Sequence, residues 1–295
     1  MVAAEVEIDV ALVRALLAAQ HPDLADRPLR VAAEGWDNVL VLLGDDLAVR
    51  LPRREAAAPL IEHEQQVLPR LVERLPVPVP APVRRGSPST DPPYPWSWSV
   101  VPWFAGHRAA AVPRWRRRRL AGPLAAFLEA LHRPAEDAPV NPVRGVPLTT
   151  RDEAVRRRLA DPRVRQADRL ERVWQAALAA PVHDGHALWL HGDPHPGNLV
   201  VDDDAGLAAV VDFGDVTAGD PATDLATAWL TFDTAGREAF RAGLAHRYPA
   251  GDPVWVRARG WAVAMATAMV VDSSAEHDWL PPLGAAALTQ VLADS

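Results

Sequence analysis

Two short segments carry the residue types that can do chemistry. The first is His191-Gly192-Asp193-Pro194-His195-Pro196-Gly197-Asn198, and the second, after two apolar runs, is Asp212-Phe213-Gly214. Both stand where strand-forming sequence gives way to loop. H-x-D, an Asn five residues after that Asp, and then D-F-G are the parts needed to bind a magnesium nucleotide and handle a hydroxyl. A phosphoryl donor needs its negative charge neutralised, and the carboxylate of Asp212 with the amide oxygen of Asn198 suits hard Mg²⁺. Asp193 is then placed to accept the proton of an attacking hydroxyl, assistance worth on the order of 10²- to 10⁴-fold. A second reading makes His191, Asp193, His195 and Asp212 the ligands of a zinc or iron hydrolase. It leaves Asn198 and Phe213-Gly214 without a role.

Such residues work only if flanking elements hold them. Val10, Val13, Leu16 and Leu17 recur at helical spacing and His21-Pro22 stops the segment, which predicts an opening helix. The period then changes. Leu29 to Ala33, Val39 to Leu43 and Leu47 to Leu51 are β-prone runs separated by Gly35-Trp36-Asp37-Asn38 and Gly44-Asp45-Asp46, which predicts three antiparallel strands. Leu60, Ile61, Glu64, Val67, Leu68, Leu71 and Leu75 mark an amphipathic helix, and Trp96 to Phe104 reads as extended. After Gly106 the patterns are helical, near Trp115–Leu131, Arg151–Leu159 and Val164–Leu178. One compact β insertion, made of Leu188-Trp-Leu, Leu199-Val-Val and Ala208-Ala-Val-Val, interrupts them and brackets the two chemical segments. The composition change places a boundary near residues 104 to 107, separating a β-rich part, 1–104, from a mainly helical part, 105–295.

Taken together, His191 to Asn198, Asp212-Phe-Gly and the following Gly219-Asp220-Pro221 with Asp224-Leu225 resemble the aminoglycoside phosphotransferase family, which is similar to protein kinases in fold. The resemblance covers most of the chain. It implies an α+β, two-lobed, kinase-like fold with a small β-rich N-lobe, a hinge at about Val101 to Gly106, and a larger helical C-lobe. A nucleotide is then expected in the cleft between the lobes. Gly35-Trp-Asp-Asn38 resembles the nucleotide-covering turn of the family, so Gly35 and Asn38 are expected at the nucleotide, as are Val101 and Trp103 at the hinge. Val49-Arg50 falls where a kinase-like third strand presents its phosphate-binding base, with Glu64 on the next helix. The resemblance therefore assigns Arg50 to the donor phosphates and Glu64 to positioning Arg50. It implies transfer of the γ-phosphoryl group of ATP or GTP, with Mg²⁺, to a hydroxyl of an aminoglycoside-type antibiotic. A macrolide or another small-molecule hydroxyl is the alternative acceptor, and a nucleotide-binding protein without transfer activity is the alternative of another class. Two departures mark this chain. Arg50 stands where Lys is usual, bringing a wider planar fork that macrolide-phosphorylating relatives tolerate. The covering turn holds one glycine instead of G-x-G-x-x-G.

Composition narrows the field further. The 295 residues carry 38 acids against 31 bases, a formal charge of -7, which lacks the basic excess of a general nucleic-acid binder. There is no Cys, so thiolate sites and disulfides are excluded and a reducing cytoplasm is the expected compartment. All 31 bases are Arg, which excludes Schiff-base chemistry and a phosphate-binding lysine. The amino terminus shows no export signal, and the apolar run Trp261 to Val271 reads as a buried helix, so neither nucleic acid nor membrane is an expected partner. Arg114-Trp-Arg-Arg-Arg-Arg119 reads as a solvated helix start, and Trp261, Met265 and Met269 as a core stripe. Asp220 reads as a helix cap and His132, His183 and His186 as structural. Asp272, Glu276 and Asp278 can face a cationic acceptor, or Trp279 an apolar one.

Overall fold

A computed structural model describes residues 4–35, 38–274 and 277–294. The chain forms two compact units: one takes residues 1–73, 78–105 and 212–214, the other 74–77, 106–211 and 215–295.

The first unit opens with helix α1 (Val10–Gln20), whose first turn is closed by the Asp9 side chain accepting from the Leu12 amide. Strands β1 (Leu29–Glu34), β2 (Asn38–Leu43) and β3 (Leu47–Pro52) follow, then helix α2 (Ala58–Leu71). Next come β4 (Arg84–Gly86), a small hairpin of β5 (Ser89–Thr90) and β6 (Pro93–Tyr94), and β7 (Trp98–Pro102). An antiparallel sheet runs in the order β1-β2-β3-β7-β4. Because strand side chains alternate, the sheet has two different faces. Val39, Val41, Leu43, Val49, Leu51, Trp98 and Val100 pack with Val13, Leu16 and Leu17 of α1 into the main core. Leu42, Ala48 and Val101 form a smaller cluster on the other face, joined by Ala32, Leu40 and Trp103. Helix α2 docks through Gln65, whose amide donates to the Trp98 carbonyl (2.8 Å) and to Ser99 Oγ (3.1 Å).

The second unit contains α3 (Ala121–Leu131), α4 (Asp152–Leu159) and α5 (Ala167–Ala179), then α6 (Ala222–Leu225), α7 (Thr227–Thr231), α8 (Thr234–Gly243), α9 (Pro253–Val271) and α10 (Leu280–Ala293). Its strands are β8 (His107–Arg108), β9 (Leu188–Leu190), β10 (Leu199–Val201), β11 (Leu207–Val210) and β12 (Thr217–Gly219). They form a three-stranded sheet, β11-β10-β8, and the pair β12-β9. Helix α9 is long and apolar enough to cross a bilayer by length and composition, yet most of it is buried in the unit, with Trp261, Met265 and Met269 in the core. The expected stripe is therefore packing, and its neighbours are protein.

The run of arginines departs from expectation. Residues Arg114–Leu120 form a 3₁₀ helix in which Arg116, Arg118 and Arg119 are exposed, while Arg114 and Arg117 turn inward to backbone carbonyls. Arg114 donates to the carbonyls of Trp229 and Phe232 (3.0 Å each), and Arg117 to those of Val112 (2.9 Å) and Ala110 (3.0 Å). Burial pushes both guanidinium groups down to about 10, which leaves them charged at neutral pH. Charge runs signal solvent only when nothing nearby lacks a donor, and here helix-terminal carbonyls do.

The first unit hangs on Trp98, which is fully buried and lies so close to Gly86 that a Cβ there would come within 1.8 Å of its ring. Trp98→Ala should cost about 3–5 kcal/mol, read as a lower midpoint in thermal or urea unfolding.

Candidate active site

In the first unit the site is built on β3. Val49 and Leu51 point into the core, so Ala48 and Arg50 point to the opposite face, which also carries Val101 and Trp103. Val101 lies opposite Ala48, and Ser99 opposite Arg50. The expected hinge residues and the expected phosphate base thus share one sheet face, apolar at one end and charged at the other. Arg50 Nη1 donates to both oxygens of Glu64 (2.6 Å each), and Nη2 donates to Asp212 Oδ1 (3.2 Å). The fork that distinguishes Arg from Lys is what lets one side chain hold two carboxylates. Burial alone would lower the Arg50 pKa, but Glu64 and Asp212 outweigh it and hold the guanidinium above its usual range. The main-chain amide of Phe213 also bonds to Glu64, and Phe213 is fully buried. Asp212 itself has φ +66°, a left-handed conformation that Asp tolerates better than most residues, and its side chain is about half exposed (55%). Gly35 and Asn38 close the β1–β2 turn, the Gly35 amide donating to the Asn38 carbonyl (2.8 Å); Trp36 and Asp37 lie outside the described residues.

In the second unit β9 delivers the other segment. Its first two loop amides, of His191 and Gly192, donate to the buried Asp224 carboxylate (2.9 and 2.8 Å). Gly192 has φ +89°, and a Cβ there would stand 2.4 Å from the Asp215 carbonyl, so this turn requires glycine. The Asp193 carbonyl accepts from the His195 amide (2.8 Å) and from Asn198 Nδ2 (3.0 Å). That bond commits the Asn198 amide nitrogen and leaves Oδ1 as the oxygen donor. The Val211 amide donates to the Asn198 carbonyl (2.9 Å), and Asp212 is the next residue. Arg144 Nη2 lies 3.1 Å from Asp193 Oδ1. Burial works against an ionised Asp193, but Arg144, with His195 and His191, overcomes it and holds the carboxyl below the usual carboxylate range.

The histidines do not form a metal cage. His191 uses Nε2 on the Val211 carbonyl (3.0 Å) and accepts the Asp193 amide at Nδ1 (3.2 Å), while His195 Nδ1 accepts the Gly197 amide (2.9 Å). Among the described residues no three His, Asp or Glu side chains are grouped to hold a metal ion. The hydrolase reading therefore lacks its ligand set.

Residues 28–261 match the model of the family described as "Phosphotransferase enzyme family". The chain belongs to that family. No curated protein matches the chain. Among solved structures, the phosphotransferase is similar to the GDP and kanamycin complex of APH(2")-IIia, with a TM-score of 0.70 and 20% identity over 97% of this chain and 100% of that one. It is also similar to the streptomycin-ATP-APH(2")-IIa ternary complex (TM-score 0.58, 18% identity, 97% and 98% covered). A third is the apoenzyme of macrolide 2'-phosphotransferase MphH from Brachybacterium faecium (TM-score 0.57, 24% identity, 92% and 96% covered). These likenesses establish the mixed α+β, kinase-like fold.

The structure brings residues to the candidate site that the sequence did not single out. Arg144 lies in a proline-rich loop without periodicity, and an Asn three residues before it and a Gly after it are the only local signals of a fixed turn. Asp224 came with the family resemblance but without a role; it is fully buried, binds the two loop amides and faces His132 Nε2 at 3.2 Å. Asp220 does accept the Ala222 amide (3.0 Å), as a cap would, and is also paired with buried Arg257 (2.6 Å). Trp279 packs beside His195 (6.1 Å between ring centres), with Arg108 over its ring (5.3 Å). Asp272 is paired to Arg158 (2.6 Å), Asp278 is exposed, and Glu276 lies outside the described residues.

Asp224→Ala would leave two buried amides without an acceptor, each costing about 1–3 kcal/mol. Hydrogen exchange should quicken at the His191 and Gly192 amides, and the thermal midpoint should fall.

Proposed function

We propose that the chain is a magnesium-dependent O-phosphotransferase that moves the γ-phosphoryl group of ATP or GTP to a hydroxyl of a small antibiotic of the aminoglycoside type. The observation that carries this reading is the Asp193 carboxylate, kept ionised by Arg144 on a loop pinned by Asp224 and Asn198. Such a group can take a proton from an alcohol at neutral pH. The donor set fits a hard cation: Asn198 offers an amide oxygen and Asp212 a half-exposed carboxylate, so these two would hold Mg²⁺. When bound, that ion neutralises phosphate charge. Arg50, fixed by Glu64, supplies the cation for the donor phosphates, and the apolar face at Leu40, Leu42, Ala48, Val101 and Trp103 offers a flat surface to a nucleotide base. In the transfer the acceptor oxygen bonds to the γ-phosphorus, the bond from that phosphorus to the β–γ bridging oxygen breaks, and the hydroxyl proton passes to Asp193. The solved structures similar to this chain include complexes with kanamycin and GDP and with streptomycin and ATP, which supports both donor nucleotides and an antibiotic acceptor.

A macrolide-type hydroxyl is the second reading, favoured by Trp279 with Arg108 beside His195 and by the pairing of Asp272 with Arg158. An aromatic and cationic surface there suits a neutral ring better than a polyamine.

Transfer of labelled phosphate from Mg-ATP and Mg-GTP to a panel of aminoglycosides, macrolides and simple amino alcohols tests activity and acceptor together. Asp193→Ala should bind nucleotide as the parent does and lose at least about 100-fold in transfer. Full turnover in that variant would refute the assignment.

A further inference from the structure

The reaction just outlined leaves the conformation of the Asp193 side chain unexplained, and Arg144 with Asp215 accounts for it. We infer that Arg144 is a positioning residue that takes up Oδ1 of Asp193 and so makes Oδ2 the oxygen that receives the hydroxyl proton. This rests on the phosphotransferase reading of Asp193.

Three features argue for a built device instead of a chance surface pair. First, the guanidinium is bridged. Nε donates to Asp215 Oδ2 at 3.2 Å while Nη2 stands as an ion pair 3.1 Å from Asp193 Oδ1, so one planar charge is anchored on Asp215 and turned toward Asp193. Arg144 and Asp193 are each only about a fifth exposed (20% and 22%), which protects the pair from screening. Second, the backbone on both sides of Arg144 is locked. Asn141 Oδ1 accepts the amides of Val143 (2.9 Å) and Arg144 (3.1 Å), and Asn141 Nδ2 donates to Asp215 Oδ1 (2.8 Å). On the other side Gly145, at φ +69°, donates to Thr223 Oγ1 (3.1 Å) and accepts from the Asp220 amide (3.0 Å). A Cβ on Gly145 would meet Leu190 Cδ1 at 2.9 Å and the Ala218 carbonyl at 3.2 Å, so the loop lies tight against β9 and β12. Third, the two carboxylate oxygens are unequal. Oδ1 lies 3.1 Å from the permanently charged Arg144 guanidinium, whereas Oδ2 lies 3.6 Å from His195 Nε2, so the stronger and nearer charge is on Oδ1.

A carboxylate free to rotate offers either oxygen in many orientations. Held at Oδ1, it offers one oxygen in one direction, and orientation errors of about 1 Å can cost on the order of 10²-fold in rate. Asp215 stands three residues after Asp212, so the brace on Asp193 belongs to the segment that also carries a proposed Mg²⁺ ligand.

The test uses the full chain with Mg-ATP or Mg-GTP and an accepted hydroxyl substrate. Arg144→Ala should lower kcat by about 100-fold with the nucleotide KM unchanged, and added guanidinium should restore part of the loss in this variant but none in Asp193→Ala. Asp215→Asn keeps the shape of the site and removes half of the brace; its kcat should fall by about tenfold, again without a change in nucleotide KM. Parental kcat in either variant, or equal losses in kcat and nucleotide affinity without rescue, would overturn the inference. If Arg144→Ala does not fold, Asp215→Asn decides alone. Absence of transfer by the parent protein to any hydroxyl would refute the phosphotransferase reading itself, a result distinct from active parent and active Arg144→Ala beside an inert Asp193→Ala.

Discussion

Each carboxylate that this chain offers for chemistry is held by an arginine. In the first unit Arg50 spans Glu64 and Asp212, and in the second Arg144 spans Asp193 and Asp215. The two clamps follow from one property of guanidinium, a planar group with donors on several edges that bonds to two acids at once without losing its charge. An ammonium group is a single point and would satisfy such a pair less completely. A chain without lysine has thus met the demand for fixed charge with the residue best able to share it.

Such pairs are weak evidence of stability, because desolvation consumes much of what the charges return. Their value lies in geometry. The core supplies the free energy of folding: Trp98 and α1 against the sheet, and the buried face of α9 among the helices. The clamps then select one arrangement of acids on that scaffold. Asp224 acts in the same sense, buried and engaged by two backbone amides and a histidine, so that the loop leaving β9 has one conformation. Left-handed backbone occurs at Asp212 in the first unit and at Gly145 and Gly192 in the second, each beside a carboxylate that an arginine or a pair of amides holds.

The two faces of the small sheet divide its labour. One is closed by α1 and holds the unit together. The other carries Ala48, Val101 and Trp103 beside Arg50, an apolar surface that ends in a charge, which suits a nucleotide's base and phosphates. In the second unit the surroundings of Asp193 hold Arg144, His195, Arg108 and Trp279, and are aromatic and cationic. Fold alone does not choose an acceptor, so the reading of one under the proposed function rests on such side chains.

Much of this was legible in the sequence because it is local. Alternation gave the strands and the helical period gave α1, α2 and the helices after Gly106; the order H-x-D, Asn, D-F-G pointed to Asp193, Asn198 and Asp212. Arg50 and Glu64 were named through the family resemblance, by their places on its third strand and next helix. What sequence could not supply were pairings across long separations, since a side chain's partner depends on which loops the fold brings together. Arg144 meets Asp193 from a proline-rich loop with no period, Asp224 reaches back to His191, and arginines that read as a solvated run bind carbonyls far along the chain. The sequence by itself therefore determined which side chains the chain offers and on which elements they stand. Only the tertiary structure decided which charge holds which acid, because that depends on distance, and local pattern carries no information about distance between remote segments.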